Sequence, residues 1–258
     1  MSATTTSVTP VSASTAVSVP RTVGAKQRVA AALGEASAVT ALLAVFTWIQ
    51  NRLGTNTAAA HANADAVARL DGSEILGWEV SANTWLAGIP WLAALSALLY
   101  SVVLFAPPAV LAWAWWRDRA AYGRLRTMLV TLTFASLIPF ALFPVAPPRL
   151  HVPGTVDIVE RYRLLGSSTT PTTESAANLF AATPSLHVAW ACWVAYAVWV
   201  VLRRRGFRPY AVWSFPVVAA ADVVVTANHY LLDVFSGGLL ALLTIAGVGA
   251  GHRWLARI

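Results

Sequence analysis

Residues 183–205 read TPSLHVAWACWVAYAVWVVLRRR. A Thr-Pro-Ser opening leads to a histidine at 187, then an unbroken apolar and aromatic run, then three arginines. Helix of about 20 residues crosses a hydrocarbon core, so 184–202 reads as a membrane span with a polar mouth at one end and positive charge at the other. That reading fixes the fold class, because the same pattern recurs on both sides.

Toward the C-terminus, 210–227 and 230–249 are two more apolar runs, separated only by a tight turn near Asn228. Toward the N-terminus, 127–143 runs into Pro144, Pro147, Pro148 and Arg149, where a helix cannot continue. The run 91–116 carries Pro107 and Pro108, which are expected to bend or interrupt it. The run 29–49 follows Arg21, Lys26 and Arg28, with Glu35 expected to face other helices. An all-α integral membrane bundle of about six transmembrane helices is therefore expected, as one domain over 29–258. Residues 1–28, rich in Ser, Thr, Val and Ala at the start, read as a disordered cytoplasmic tail.

Composition agrees with this class. Of 258 residues, 57% are hydrophobic and 11% charged, against about a quarter charged in soluble domains. The net charge of +7 does not mark a nucleic-acid binder, because the basic residues fall in short clusters between apolar runs, where they set orientation. With the N-terminus inside, thirteen of the 18 basic residues are cytoplasmic, including Arg117, Arg119, Arg124, Arg126 and Arg203 to Arg205. Arg52, Arg69, Arg149, Arg161 and Arg163 fall outside. Both termini are then cytoplasmic, in a multi-pass protein of the plasma membrane. The single cysteine, Cys192, allows no intrachain disulfide.

Between the runs, 50–73 is polar, and 74–88 mixes Trp78 and Trp85 with Glu79, Ser81, Asn83 and Thr84, as an interfacial helix does. Residues 150–182 form an extracytoplasmic loop, almost wholly Ser, Thr, Pro and Glu over 167–175, expected to act as a lid.

Arg149, His187, His229 and Asp233 come from three separate places in the sequence, yet all fall at the outer ends of spans. Ionisable groups within a span cost on the order of 3 kcal/mol, so those present tend to face polar cavities and to serve function. His229 and Asp233 share one helix face at a spacing of four: either a structural pair at a helix end, or an imidazole whose carboxylate fixes the tautomer and leaves the other nitrogen as a nucleophile. Thr183 as N-cap and Pro184 at the first helical position are expected to present the N–H groups of Ser185 and Leu186, with the Ser185 hydroxyl, to an anion; His187 lies just inside with a transferable proton. Arg149, stiffened by Pro147 and Pro148, suits bidentate phosphate binding or contact with a lipid headgroup. His61, His151 and His252 have no partner at useful spacing and read as surface residues. Asp222 is expected to be a buried hydrogen-bonding group, or a second carboxylate near the site. No metal is expected, since no further Asp, Glu or Cys joins the two histidines at a ligand spacing.

At Pro184, Ser185, Leu186, His187 and again at Asn228, His229, Tyr230 through Asp233, the chain resembles the type 2 phosphatidic acid phosphatase superfamily of membrane phosphoesterases, over roughly the third to sixth helices. The resemblance implies His229 as nucleophile, Asp233 orienting it, His187 protonating the leaving oxygen, and Ser185 with backbone donors holding the phosphate. It implies no cofactor. Three features depart from the family pattern. The lysine-containing first motif is absent, with Pro147, Pro148 and Arg149 nearest to it; Leu186 replaces a glycine; Val223 stands where an arginine precedes the third-motif histidine. In these respects the chain is similar to the branch of inositol phosphorylceramide synthases and related bacterial proteins, which implies a lipid phosphatase or phosphotransferase acting on a membrane lipid phosphate. A non-catalytic transporter or partner-binding protein that keeps the helix layout is the alternative.

Overall fold

The computed structural model describes residues 25–53, 56–162 and 178–255, and among them it is all-helical, with no strand beyond one isolated bridge between Val145 and Ala181. Residues 1–24 of the expected tail, and 163–177 of the expected lid with Arg163, lie outside the described residues. The chain divides into two compact units, 1–39 and 40–258. The first contains the beginning of α1 (Ala25–Gln50); the second contains its end and every other helix.

Among the described residues, four helical stretches are long and apolar enough to cross a membrane: Val29–Gln50, Arg119–Leu142, Leu186–Arg203 and Leu231–His252. A fifth is available if α3 (Ser73–Ala87) and α4 (Pro90–Val103), bent by 112° at their junction, count as one span. The expected run 91–116 is two helices, α4 and α5 (Ala106–Arg117). The chain breaks at Leu104 and Phe105, and Pro107 sits in the first turn of α5, where its missing N–H costs nothing. These prolines begin a helix rather than kink one. The expected run 127–143 extends back through α6 (Arg119–Ala135) and on into α7 (Leu137–Leu142). The run 210–227 holds a short 3-10 turn and the twelve-residue α11 (Ser214–Val225).

Helix α10 (Leu186–Arg203) packs among α5, α6, α11 and α12 (Leu231–Leu255). Its Trp193 is fully buried and donates to the Leu125 carbonyl at 3.1 Å. At its first turn α12 comes so close that a Cβ on Gly237 would lie 2.3 Å from the Ser185 carbonyl oxygen. Only glycine fits there. At its last turn Arg204 pairs with Asp118 at 2.6 Å. Sixteen residues separate His187 from Arg203, about 24 Å at 1.5 Å per residue, so the histidine and the arginine cluster stand most of the roughly 30 Å hydrocarbon thickness apart.

The polar segment after α1 is a helix, α2 (Thr57–Asp71), capped by Asn56. Its inner face is Ala60, Ala64 and Val67, packed on Val145, Ala146, Ala182 and Tyr230. In α3 the two tryptophans face outward as expected, Trp78 and Trp85 being 58% and 62% exposed, but Glu79 and Asn83 turn inward. Two short helices, α8 (Pro148–His151) and α9 (Ile158–Tyr162), order the first part of the expected loop.

Candidate active site

Three segments meet at the N-terminal end of α10: 145–149, 181–187 and the turn between α11 and α12. The Ala60 carbonyl on α2 belongs to the same assembly, accepting from the Ala146 N–H at 3.1 Å. Arg149 N–H donates to the Ala227 carbonyl at 2.9 Å, which ties α8 to the turn before His229. Ala227 has φ of 56°, a left-handed conformation costly to a residue with a side chain. With this sharp reversal the chain enters α12 immediately after His229 and Tyr230.

His229 is buried, and its Nδ1 lies 2.9 Å from the Ala182 carbonyl oxygen and 3.4 Å from Asp233 Oδ2. A carbonyl only accepts, so Nδ1 carries the proton and Nε2 keeps its lone pair. The nearer partner is thus a backbone group, where the spacing of four had pointed to Asp233. Asp233 is fully buried and accepts from the Thr183 hydroxyl and, at 2.9 Å, from the Tyr230 N–H. It locks the strand of chain before α10 to the start of α12.

The start of α10 differs from expectation. Its N-cap is Ser185, whose hydroxyl accepts from Val188 N–H at 3.4 Å, and Thr183 points at Asp233 instead. The Ser185 N–H donates to the Asp233 carbonyl at 3.0 Å. That bond removes Ser185 N–H from the donors available to an anion. Leu186 is the first helical residue, where an N–H has no intrahelical acceptor, and it lines the pocket.

The His187 and His229 rings lie 6.0 Å apart, centroid to centroid. Tyr100 of α4 stacks on His187 at 4.1 Å and 27°. Its contribution had no sequence signal, since Tyr100 reads as one more aromatic in a span. Among the described residues, His187 Nε2 is buried without a hydrogen-bond partner.

Arg149, His187, Asn228 and His229 line one pocket of about 910 Å³, its open mouth included. Its apolar wall includes Phe46, Leu104, Phe140 and Trp190. The Arg149 Nε lies 3.1 Å from Asp157 Oδ2, with the arginine side chain 7% exposed. Asp157 follows Val156, whose N–H and carbonyl are both bonded by the buried Asn83 side chain; Asn83 Nδ2 also reaches the Val225 carbonyl at 2.9 Å. A single asparagine thus joins the Arg149 counter-ion to the end of α11. Neither Asp157 nor Asn83 stands in a motif that sequence alone would flag.

Two histidines expected to be unpartnered are not. His61 Nδ1 lies 2.9 Å from His151 Nδ1, and His151 Nε2 lies 3.0 Å from Asp65. They were missed because α2 brings them together across ninety residues. His252 is exposed. Asp222 accepts from the Ser96 hydroxyl between α4 and α11, and the pocket lining does not include it. Among the described residues no group of three His, Cys, Asp or Glu stands where it could hold a metal ion.

The α12 N-terminus is held by acidic side chains from two other helices. Leu231 N–H donates to Glu79 at 2.8 Å, and Leu232 N–H to Asp71, whose carboxyl is pushed above its ordinary value mainly by burial. Carboxylates at this end satisfy unpaired donors and oppose the helix dipole.

The sequence matches the family model described as the PAP2 superfamily over residues 65–247. Neither a curated protein nor a solved structure matches the chain.

Proposed function

The chain belongs to the PAP2 superfamily, and from that premise we propose that it is a membrane phosphoesterase acting on a lipid phosphate, as hydrolase or phosphotransferase, through a phosphohistidine at His229. The observation that carries this reading is the pairing of His187 and His229, rings 6.0 Å apart, in one pocket with Arg149. Two imidazoles at that separation flank a single phosphorus.

His229 Nε2 attacks phosphorus, with its proton held at Nδ1 by the Ala182 carbonyl. His187 gives its proton to the departing oxygen, and the bond from phosphorus to that oxygen breaks as the bond to nitrogen forms. Arg149 and the Leu186 N–H compensate the phosphate charge. Ser185 and Asp233 lie behind the pocket and act through the helix starts they lock together. The apolar wall beside these groups suits the tail of a lipid, and the arginine cluster about 24 Å away suits the cytoplasmic face. On that orientation both termini are cytoplasmic and the site faces outward at the plasma membrane. Six crossings result if α4 with α5, and α11, each traverse. Residues 29–258 then form one catalytic membrane domain, with 150–182 as its lid and 1–28 as a tail.

Val223 is buried and stands where the family pattern has an arginine, so the site has one cation fewer than that pattern. Fewer cations favour a phosphodiester over a phosphomonoester dianion, as in the inositol phosphorylceramide synthase branch. Purified protein assayed on a lipid phosphomonoester and on a phosphodiester tests both points. Turnover is expected on the diester, inhibition by vanadate, and no turnover in His187→Ala or His229→Ala that remain folded. Full activity in His229→Ala removes the nucleophile assignment, and strong preference for the monoester removes the diester assignment. Inactivity of the native chain on lipid phosphates, pyrophosphates and phosphodiesters supports a non-catalytic role.

A further inference from the structure

Asn228 immediately precedes His229 in the chain, is 1% exposed, and lines the same pocket as both histidines. Its orientation is fixed by its neighbours. Nδ2 approaches the Thr226 carbonyl oxygen at 3.3 Å and Thr226 Oγ1 at 2.9 Å. The carbonyl can only accept, and the Thr226 hydroxyl spends its one proton on the Asp222 carbonyl at 2.7 Å. Both groups therefore require a donor from Asn228, so the amide nitrogen faces Thr226. The carboxamide oxygen is left buried, with no hydrogen-bond partner among the described residues.

A buried acceptor without a donor is uncommon and calls for a reason. Phosphate oxygens do not supply one, because they are acceptors themselves and are repelled by a carbonyl oxygen. Water and alcohols do supply one: a hydroxyl can donate a hydrogen bond while offering a lone pair to phosphorus. We propose that the Asn228 carboxamide oxygen receives the hydroxyl that discharges the phosphohistidine, and so sets which acceptor, water or alcohol, takes the phosphoryl group. This rests on the phosphohistidine reading above.

In this step the incoming oxygen enters the position that the leaving oxygen vacated beside His187. It forms its bond to phosphorus while the bond from phosphorus to His229 Nε2 breaks, and that electron pair returns to the imidazole. The hydroxyl proton passes to His187, which lost its own in the first step, so both residues end as they began. Asn228 takes no proton. It holds the hydroxyl by one hydrogen bond and leaves the formation of the phosphohistidine untouched.

Rapid-quench single turnovers with a phosphorus-labelled lipid substrate separate the two steps, with water alone and with added glycerol as acceptor. Asn228→Leu, which keeps the volume and loses the oxygen, is expected to form labelled enzyme near the native rate. Its decay is expected to slow about tenfold, the worth of one transition-state hydrogen bond, and its partition between water and glycerol is expected to change. Thr226→Val releases the anchor on the amide nitrogen and is expected to slow decay in the same direction by less; it decides the matter if Asn228→Leu does not fold. Decay at the native rate, or formation slowed as much as decay, overturns the role of Asn228. Absence of labelled enzyme from the native protein overturns the phosphohistidine reading itself.

Discussion

His229 and Arg149 each depend on a partner that no motif announces. For His229 it is the Ala182 carbonyl at 2.9 Å; for Arg149 it is Asp157 at 3.1 Å. Arg149→Lys keeps the charge but gives up the planar fork, and kcat/KM is expected to fall about a hundredfold. Asp157→Asn leaves the guanidinium in place but poorly aimed, and a fall of about tenfold is expected. Native kinetics in Asp157→Asn would mean that the backbone bond from Arg149 to Ala227 aims the guanidinium unaided. The residues proposed to react, His187 and His229, were legible because proton transfer and nucleophilic attack need particular side chains, and these two, with Asp233, stand at helix-end spacings. Their supports were not, because a backbone carbonyl has no residue identity and Tyr100 looks like any aromatic of a span. The cap of α10 was misplaced by two residues, since Thr183 and Ser185 are both good capping residues and only tertiary contact with Asp233 chooses between them.

Helices α2 and α12 show what pattern reading can and cannot see. The 22-residue apolar stretch of α12 declares itself by length. The site-facing side of α2 is Ala60, Ala64 and Val67, three small residues at helical spacing whose weak hydropathy is swamped by the polar residues around them. Yet α2 backs both the Arg149 segment and Tyr230, and it brings His61 to His151. Glu79 on α3 looked like the polar face of an interfacial helix, but it caps α12. Glu79→Gln keeps an acceptor for Leu231 N–H and is expected to retain activity, whereas Glu79→Leu is expected to lose about 1 kcal/mol of stability, read as a lower melting temperature in detergent. Gly237→Ala pushes a methyl into the Ser185 carbonyl and is expected to cost about 1–3 kcal/mol and most of the turnover, since α10 carries His187 and α12 begins two residues after His229. An unchanged melting temperature and rate in Gly237→Ala would show that the two helices separate without harm.

At the scale of the whole molecule, the account requires the pocket and the arginine cluster to lie on opposite faces of the membrane. In a Cys192→Ala background, Pro153→Cys is expected to react with an impermeant maleimide in intact cells, and Arg208→Cys only after lysis. The reverse pattern would turn the protein over. The number of crossings was less legible than their existence, because α4 with α5, and α11, are apolar but short or broken, and composition does not show where a chain bends. The central claim is chemical, that one phosphate sits between two imidazoles and is passed to His229. The most direct measurement is to quench the enzyme during turnover of a phosphorus-labelled substrate, and to map the label. An acid-labile, base-stable label on His229, absent from His229→Ala and recovered in product on a chase, is the predicted result; label on another residue, or continued turnover in His229→Ala, would contradict it.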